Sequence, residues 1–178
     1  AAGALPADTY TNFSKVRLPG RVANLRHIPN AHTDGDTYVW FKTANVLATG
    51  DTFTNGRYPN IDFANGGNIK GMIAAADTYL KLINAKSRIV PGHGPVADKA
   101  ALTEYRAMLV TARDRMDKLV KEGKSENDVV AAKPFAEELL KARAEYDKQR
   151  QPFDTAAAAA RVEYAKAADV IAAFPPKA

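Results

Sequence analysis

The chain has 178 residues, 46% hydrophobic and 25% charged, so it has room for one globular domain with a core, or a domain plus an appendage. Its formal charge of +5 is thinly spread: residues 1–97 hold 10 Lys/Arg against 6 Asp/Glu (+4) and residues 98–178 hold 15 against 14 (+1), which gives no basic cluster for nucleic acid. Cysteine is absent, which excludes disulfides and cysteine-ligated zinc, and no apolar run is long enough to span a bilayer.

The opening AAGALPADTY has neither a basic start nor an apolar core, so it does not read as a signal peptide. TYTNF (9–13) and KVRL (15–18) are short strand candidates, Pro19-Gly20 is a turn, and RVANLRHI (21–28) resumes the strand. TYVWFKTA (37–44) is aromatic and β-branched, Asn45 punctuates, and VLAT (46–49) follows. Near Gly66-Gly67 the period changes. Ile69, Met72, Ile73, Ala76, Leu80 and Ile83 predict an amphipathic helix over about 67–84. SRIV (87–90) reads as a buried strand that PGHGP (91–95) breaks sharply.

From residue 98 the reading is helical. Leu102, Tyr105, Met108, Leu109, Met116 and Leu119 form one stripe of a helix over 98–122, which Gly123 ends. Further helices are predicted over 125–131, capped by Ser125, and over 134–150, opened by Pro134 and broken by Pro152. The last, alanine-rich, runs from Asp154 to about 173. The division is therefore 1–122, strands with two helices, and a helical extension over 123–178.

Of the three histidines, His32 and His93 stand at strand ends beside turn residues, as does Asp51 after Gly50. Strand ends beside glycine-rich loops hold a group in place and leave it accessible. Imidazole and carboxylate together suit zinc, iron(II) or manganese, and a carboxylate can bridge two ions about 3.5–4 Å apart. The same residues also fit ordinary turn and cap roles. Asp34 and Asp36 read as turn residues bonding their own backbone, and His27 as a structural or exposed strand residue. Neither Ser14 nor Ser87 has a nucleophile-elbow setting, and GGNIKG lacks the phosphate-loop pattern.

HTDGD (32–36), VLATGD (46–51) and IVPGHGP (89–95), in that order, resemble the second half of a metallo-β-lactamase-fold hydrolase. That superfamily includes glyoxalase II and the β-lactamases. The resemblance covers about residues 5–133. It implies an α/β fold: half of an αββα sandwich, a mixed sheet with flanking helices, here followed by the helical extension. It implies that His32, Asp51 and His93 are metal ligands for one or two zinc ions, with Asp51 bridging and central to catalysis. Thr33 and Asp36 would orient those ligands, and Asn55, Arg57 and Tyr58 would line the mouth of the site.

The family's His-x-His-x-Asp-His motif is not in this sequence, since no two of its three histidines are two apart. With His32, Asp51 and His93 alone, each ion would have two protein ligands where zinc takes three or four. Metal binding is therefore expected to be weakened. A single sheet layer would also leave an apolar face, to be covered by the absent first half, a second copy of the chain, or the chain's own helical tail folded over the sheet. Val39, Trp40 and Phe41 mark the strand expected to make that contact. Two functions follow: a zinc-dependent hydrolase acting on a small carbonyl or ester substrate, incomplete in this chain alone, or a non-catalytic self-associating or protein-binding module. Neither nucleic acid nor membrane is an expected partner. A periplasmic or secreted setting is expected from the resemblance, with a cytoplasmic one as the alternative.

Overall fold

Pro19-Gly20, with Gly20 at φ +68°, turns the chain between β1 (Phe13–Leu18) and β2 (Arg21–Ile28), which pair antiparallel from Leu18↔Arg21 to Phe13↔Arg26. β3 (Asp36–Phe41) returns antiparallel along β2, and β4 (Val46–Thr54) antiparallel along β3. Helix α1 (Ile69–Leu82) then carries the chain back, so β5 (Arg88–His93) lies parallel to β4. The result is one mixed sheet in the order β1-β2-β3-β4-β5. Helices α2 (Lys99–Lys121) and α3 (Glu126–Ala132) follow. This computed structural model describes residues 8–137 and residues 144, 147, 148, 151, 152 and 155. The chain divides into two compact units, residues 1–136 and 137–178.

The helices start where their caps dictate. The Asn68 side chain accepts from Gly71 N and that of Asp98 from Ala101 N, and Ser125 and Asp128 form a reciprocal capping box. From α1, Met72, Ile73, Ala76 and Tyr79 face the sheet; from α2, Leu102, Tyr105 and Leu109 do. They meet Ile28, Tyr38, Leu47, Phe53 and Ile89 in one core. Two edge-to-face pairs, Tyr38–Tyr79 at 5.3 Å and Phe53–Tyr105 at 4.9 Å, tie sheet to helices. Each such pair adds about 0.5–1.5 kcal/mol beyond its burial.

Among the described residues, no helix packs against the other sheet face. Strand alternation places Leu25, Val39, Ala48 and Val90 in one row across it, through the pairs Leu25↔Val39, Val39↔Ala48 and Ala48↔Val90. All four are partly or fully exposed. The same alternation divides the trio expected at this face. Val39 and Phe41 lie on it, while Trp40 packs against the core under the helices.

Several boundaries differ from the sequence reading. Residues 9–12 are not strand, and β1 begins at Phe13. β4 runs five residues past VLAT, and β5 continues through Pro91 and Gly92 to His93. The proline survives there because β5 is an edge strand, where a missing N–H costs no ladder bond. On α2 only the first half of the expected stripe is buried, and Met116 and Leu119 stay half-exposed. The helices expected over 134–150 and 154–173 fall mostly outside the described residues. Gln151 and Pro152 are themselves helical.

Candidate metal centre

β2, β4 and β5 run in the same direction, so their carboxyl ends share one edge of the sheet. His32 follows β2, Asp51 lies late in β4, and His93 ends β5. Open sheets place ligands just outside this edge. The three side chains meet there. His93 Nε2 is 3.2 Å from Asp51 Oδ1, and His32 Nε2 is 3.6 Å from Asp51 Oδ2. One carboxylate is thus shared between two imidazoles, one on each oxygen. The His32 side chain is 18% exposed, Asp51 42% and His93 53%, so the cluster is walled at His32 and open at His93.

Close backbone approach builds this geometry. The loop carrying His32 lies against the start of α1, where Asn68 N donates to the carbonyls of Asn30 and Ala31. A Cβ at Gly67 would overlap the His32 carbonyl, and one at Gly71 the Asn30 carbonyl. The glycines of GGNIKG therefore serve packing, not phosphate. A Cβ at Gly92 would overlap the Asp51 carboxylate, so the glycine before His93 makes the room in which Asp51 reaches both rings. Gly50, at φ +55°, sits at a register shift in the β4–β5 ladder that turns Asp51 toward the edge.

The floor beneath Asp51 is buried and polar. Thr52 Oγ1 donates to Thr49 O at 2.8 Å and lies 2.6 Å from Tyr79 OH. Tyr105 OH donates to Thr52 O at 3.4 Å. Burial pushes both tyrosine hydroxyls well above their ordinary range, so they are neutral donors at any working pH. These contacts satisfy backbone that the irregular ladder leaves unpaired. Sequence reasoning missed Thr52, Tyr79 and Tyr105, because partners 27 and 53 residues apart leave no local pattern.

The remaining expected residues fall into place as follows. Thr33 N and Thr33 Oγ1 donate to the two oxygens of Asp36, at 2.9 and 3.0 Å, closing the HTDGD loop on itself. Both residues fix the loop that carries His32 and make no hydrogen bond to the three clustered side chains. Asp34 Oδ1 accepts from Asn30 N, as a turn residue should, and His27 Nε2 bonds the Asp34 carbonyl in a structural role. Asn55 N donates to His93 O at 2.9 Å and Asn55 Nδ2 to Pro95 O at 3.1 Å, so Asn55 pins the PGHGP loop. Arg57 is exposed, and the Tyr58 ring lies 6.3 Å from Phe135.

The donor types fit a divalent metal and their number does not complete its shell. His32 Nδ1 is 2.8 Å from Asn60 O. A carbonyl only accepts, so Nδ1 carries a proton and Nε2 is the ring nitrogen left to serve as a metal donor. Nε2 faces an Asp51 carboxylate oxygen 3.6 Å away, beyond hydrogen-bond range. Two donors on one tetrahedral zinc stand about 3.3 Å apart, close to both observed spacings. A carbonyl behind a ligating imidazole is also the usual support for a metal-bound histidine. Among the described residues, however, no group of three or more His, Cys, Asp or Glu side chains is arranged to hold one ion.

Comparison with known proteins agrees with the architecture. Against a metallo-β-lactamase from Pontibacter korlensis the TM-score is 0.51 at 18% identity, covering 58% of this chain and 48% of that one. Against the stereoselective inverting sec-alkylsulfatase Pisa1 from Pseudomonas sp. it is 0.56 at 14% identity, covering 69% of this chain and 21% of that one. The chain carries part of the metallo-β-lactamase fold. It spans about half the length of the first of these structures and a fifth of the second. No family model matches the sequence, and none of the curated proteins does. The five-stranded mixed sheet with its helices is the α/β half-sandwich that the motifs implied.

Proposed function

We propose that this chain supplies one side of the metal centre of a metallo-β-lactamase-type hydrolase. The observation that carries this reading is the Asp51 carboxylate held between two imidazoles, at 3.2 and 3.6 Å. In this reading His32 and Asp51 would hold one zinc ion, and Asp51 and His93 a second. The remaining ligands come from residues beyond this cluster, since two donors do not retain zinc tightly. When bound, such a pair supplies Lewis acidity and a strong nucleophile from water near neutral pH, suited to a small carbonyl or ester substrate. The chain's own contribution is positional. The Asn60 carbonyl sets the His32 tautomer, Thr33 and Asp36 hold its loop, Gly92 admits the carboxylate, and Asn55 pins the His93 loop.

The test is zinc content by elemental mass spectrometry after dialysis against trace zinc, on the wild type and on Asp51→Ala. The chain alone is expected to retain zinc weakly and the variant none. A covalent or bimolecular complex with an amino-terminal half bearing His-x-His-x-Asp-His should retain about two ions per chain and hydrolyse ester or lactam probes. A folded complex that neither binds zinc nor hydrolyses would overturn the reading.

The uncovered sheet face favours a second reading, a non-catalytic module that associates through Leu25, Val39, Ala48 and Val90. Apolar rows of this kind drive association. Sedimentation of the chain alone discriminates: a monomer at high concentration argues against it.

A further inference from the structure

The helices cover only part of the sheet. Beyond the end of α1, on the same face, a cavity of about 670 Å³ opens over β1, β2 and β3. That is within the size of a small-molecule site, about 300–1,000 Å³. It lies toward the β3–β4 turn, while the histidine–aspartate cluster sits at the other end of β4. Four or five strand residues separate them, about 15 Å.

Its lining combines two chemistries. Phe13, Tyr38 and Trp40 present aromatic surface, with Leu82 from α1 beside them. Among the described residues, Arg26 and Lys42 are the only charged ones lining it, and both are cations. Neither has a carboxylate partner among the described residues. Arg26 is held by its own neighbour, with the guanidinium carbon 4.9 Å from the centre of the Phe13 ring. Stacking occupies one face of the guanidinium and leaves its edge N–H donors free. Trp40 is half-buried and Phe13 is 44% exposed, so the aromatic floor is accessible.

A flat apolar floor rewards a flat apolar body. Two unpaired cations at its rim, with no acid to compensate them, reward negative charge and repel cations. We propose that this trough is a binding site for a small organic anion with a planar apolar body, of the arylcarboxylate type. The acid would meet the edge of Arg26 and Lys42, and the ring would lie against Trp40 and Leu82. The site is separate from the metal cluster and stands or falls independently of it.

Trp40 is the only tryptophan of the chain, so it supplies the only indole N–H signal in a nitrogen-15 correlation spectrum. The full-length chain is titrated with 3-phenylpropionate and, separately, with its neutral amide. The expected result is a saturable shift of the Trp40 signal by the acid, with Kd about 1 mM or tighter. The amide, and the acid on an Arg26→Ala/Lys42→Ala variant, should each bind about tenfold more weakly. Both substituted side chains are exposed, and the rest of the spectrum reports whether the variant keeps its fold. No saturable shift, equal binding of acid and amide, or undiminished binding by the folded variant would each overturn the assignment.

Discussion

The two faces of the sheet follow different rules. Under the helices, Leu47, Phe53 and Ile89 are completely buried, and even the threonines of β4 find partners. On the opposite face, side chains of similar character stay partly open, and Val90 is 42% exposed. The apolar content of the strands is nearly the same on both sides. What differs is whether a helix among the described residues packs against them. Directly beneath the helices the core is finished, and the other face has the composition of one. A protein of this kind can be stable through its helix-covered layer and still carry a surface suited to association.

Truncating each face in turn gives the largest contrast. Phe53→Ala should lower the unfolding free energy by about 3–5 kcal/mol, since it opens a cavity beneath Tyr105 in a closed core. Val39→Ala on the open face should cost less than about 1 kcal/mol in a monomer. Urea melts of both variants measure the difference. A Val39→Ala penalty as large as that of Phe53→Ala would show that the face is covered in solution.

Tyr79→Phe asks whether the polar floor matters as much as the apolar core. It removes the hydroxyl from Thr52 without changing shape, and should cost about 1–2 kcal/mol. A neutral result would mean that Thr52 is satisfied by its bond to Thr49 alone.

The smallest expected effect concerns the ion pair that joins the two covering helices. The Arg106 side chain donates to both oxygens of Asp77 and holds that carboxyl below its ordinary value of 3.8. A lowered folded value means that the contribution is complete above the unfolded value. It is lost as pH falls from near 3.8 through the folded value. Asp77→Asn should therefore flatten the acid limb of the stability profile and leave its slope near neutrality unchanged. Denaturation midpoints across that range check it.

Much of this was legible in the residues themselves. RVANLRHI gave β2 at its observed bounds, and the apolar spacing of 69–83 gave α1. The family resemblance of the three motifs implied that His32, Asp51 and His93 meet although they are spread over sixty residues, and the structure places each histidine beside Asp51. Local chemistry misled where tertiary context won. Gly50-Asp51 and PGHG look like strand breakers. In the fold they continue strands, because a bulge and an edge position absorb the irregularity. The trio at 39–41 read as one contact surface, but period-two alternation sends Trp40 to the other side. The support of the cluster was invisible in the sequence. Asn60 contributes a backbone carbonyl, which carries no side-chain signature, and Tyr79 acts through the fold rather than through spacing.

Gly67, Gly71 and Gly92 constrain how near two stretches of main chain come, not which donor groups those stretches carry. They and the donor residues can therefore be lost independently during evolution. A relative that keeps these three positions while losing His32 or His93 would retain the architecture as a scaffold freed from its chemistry. One that keeps the histidines but fills position 92 would hold the proposed ligands at the wrong spacing. Scoring the two sets separately would thus sort descendants by whether selection preserved a shape or a reaction.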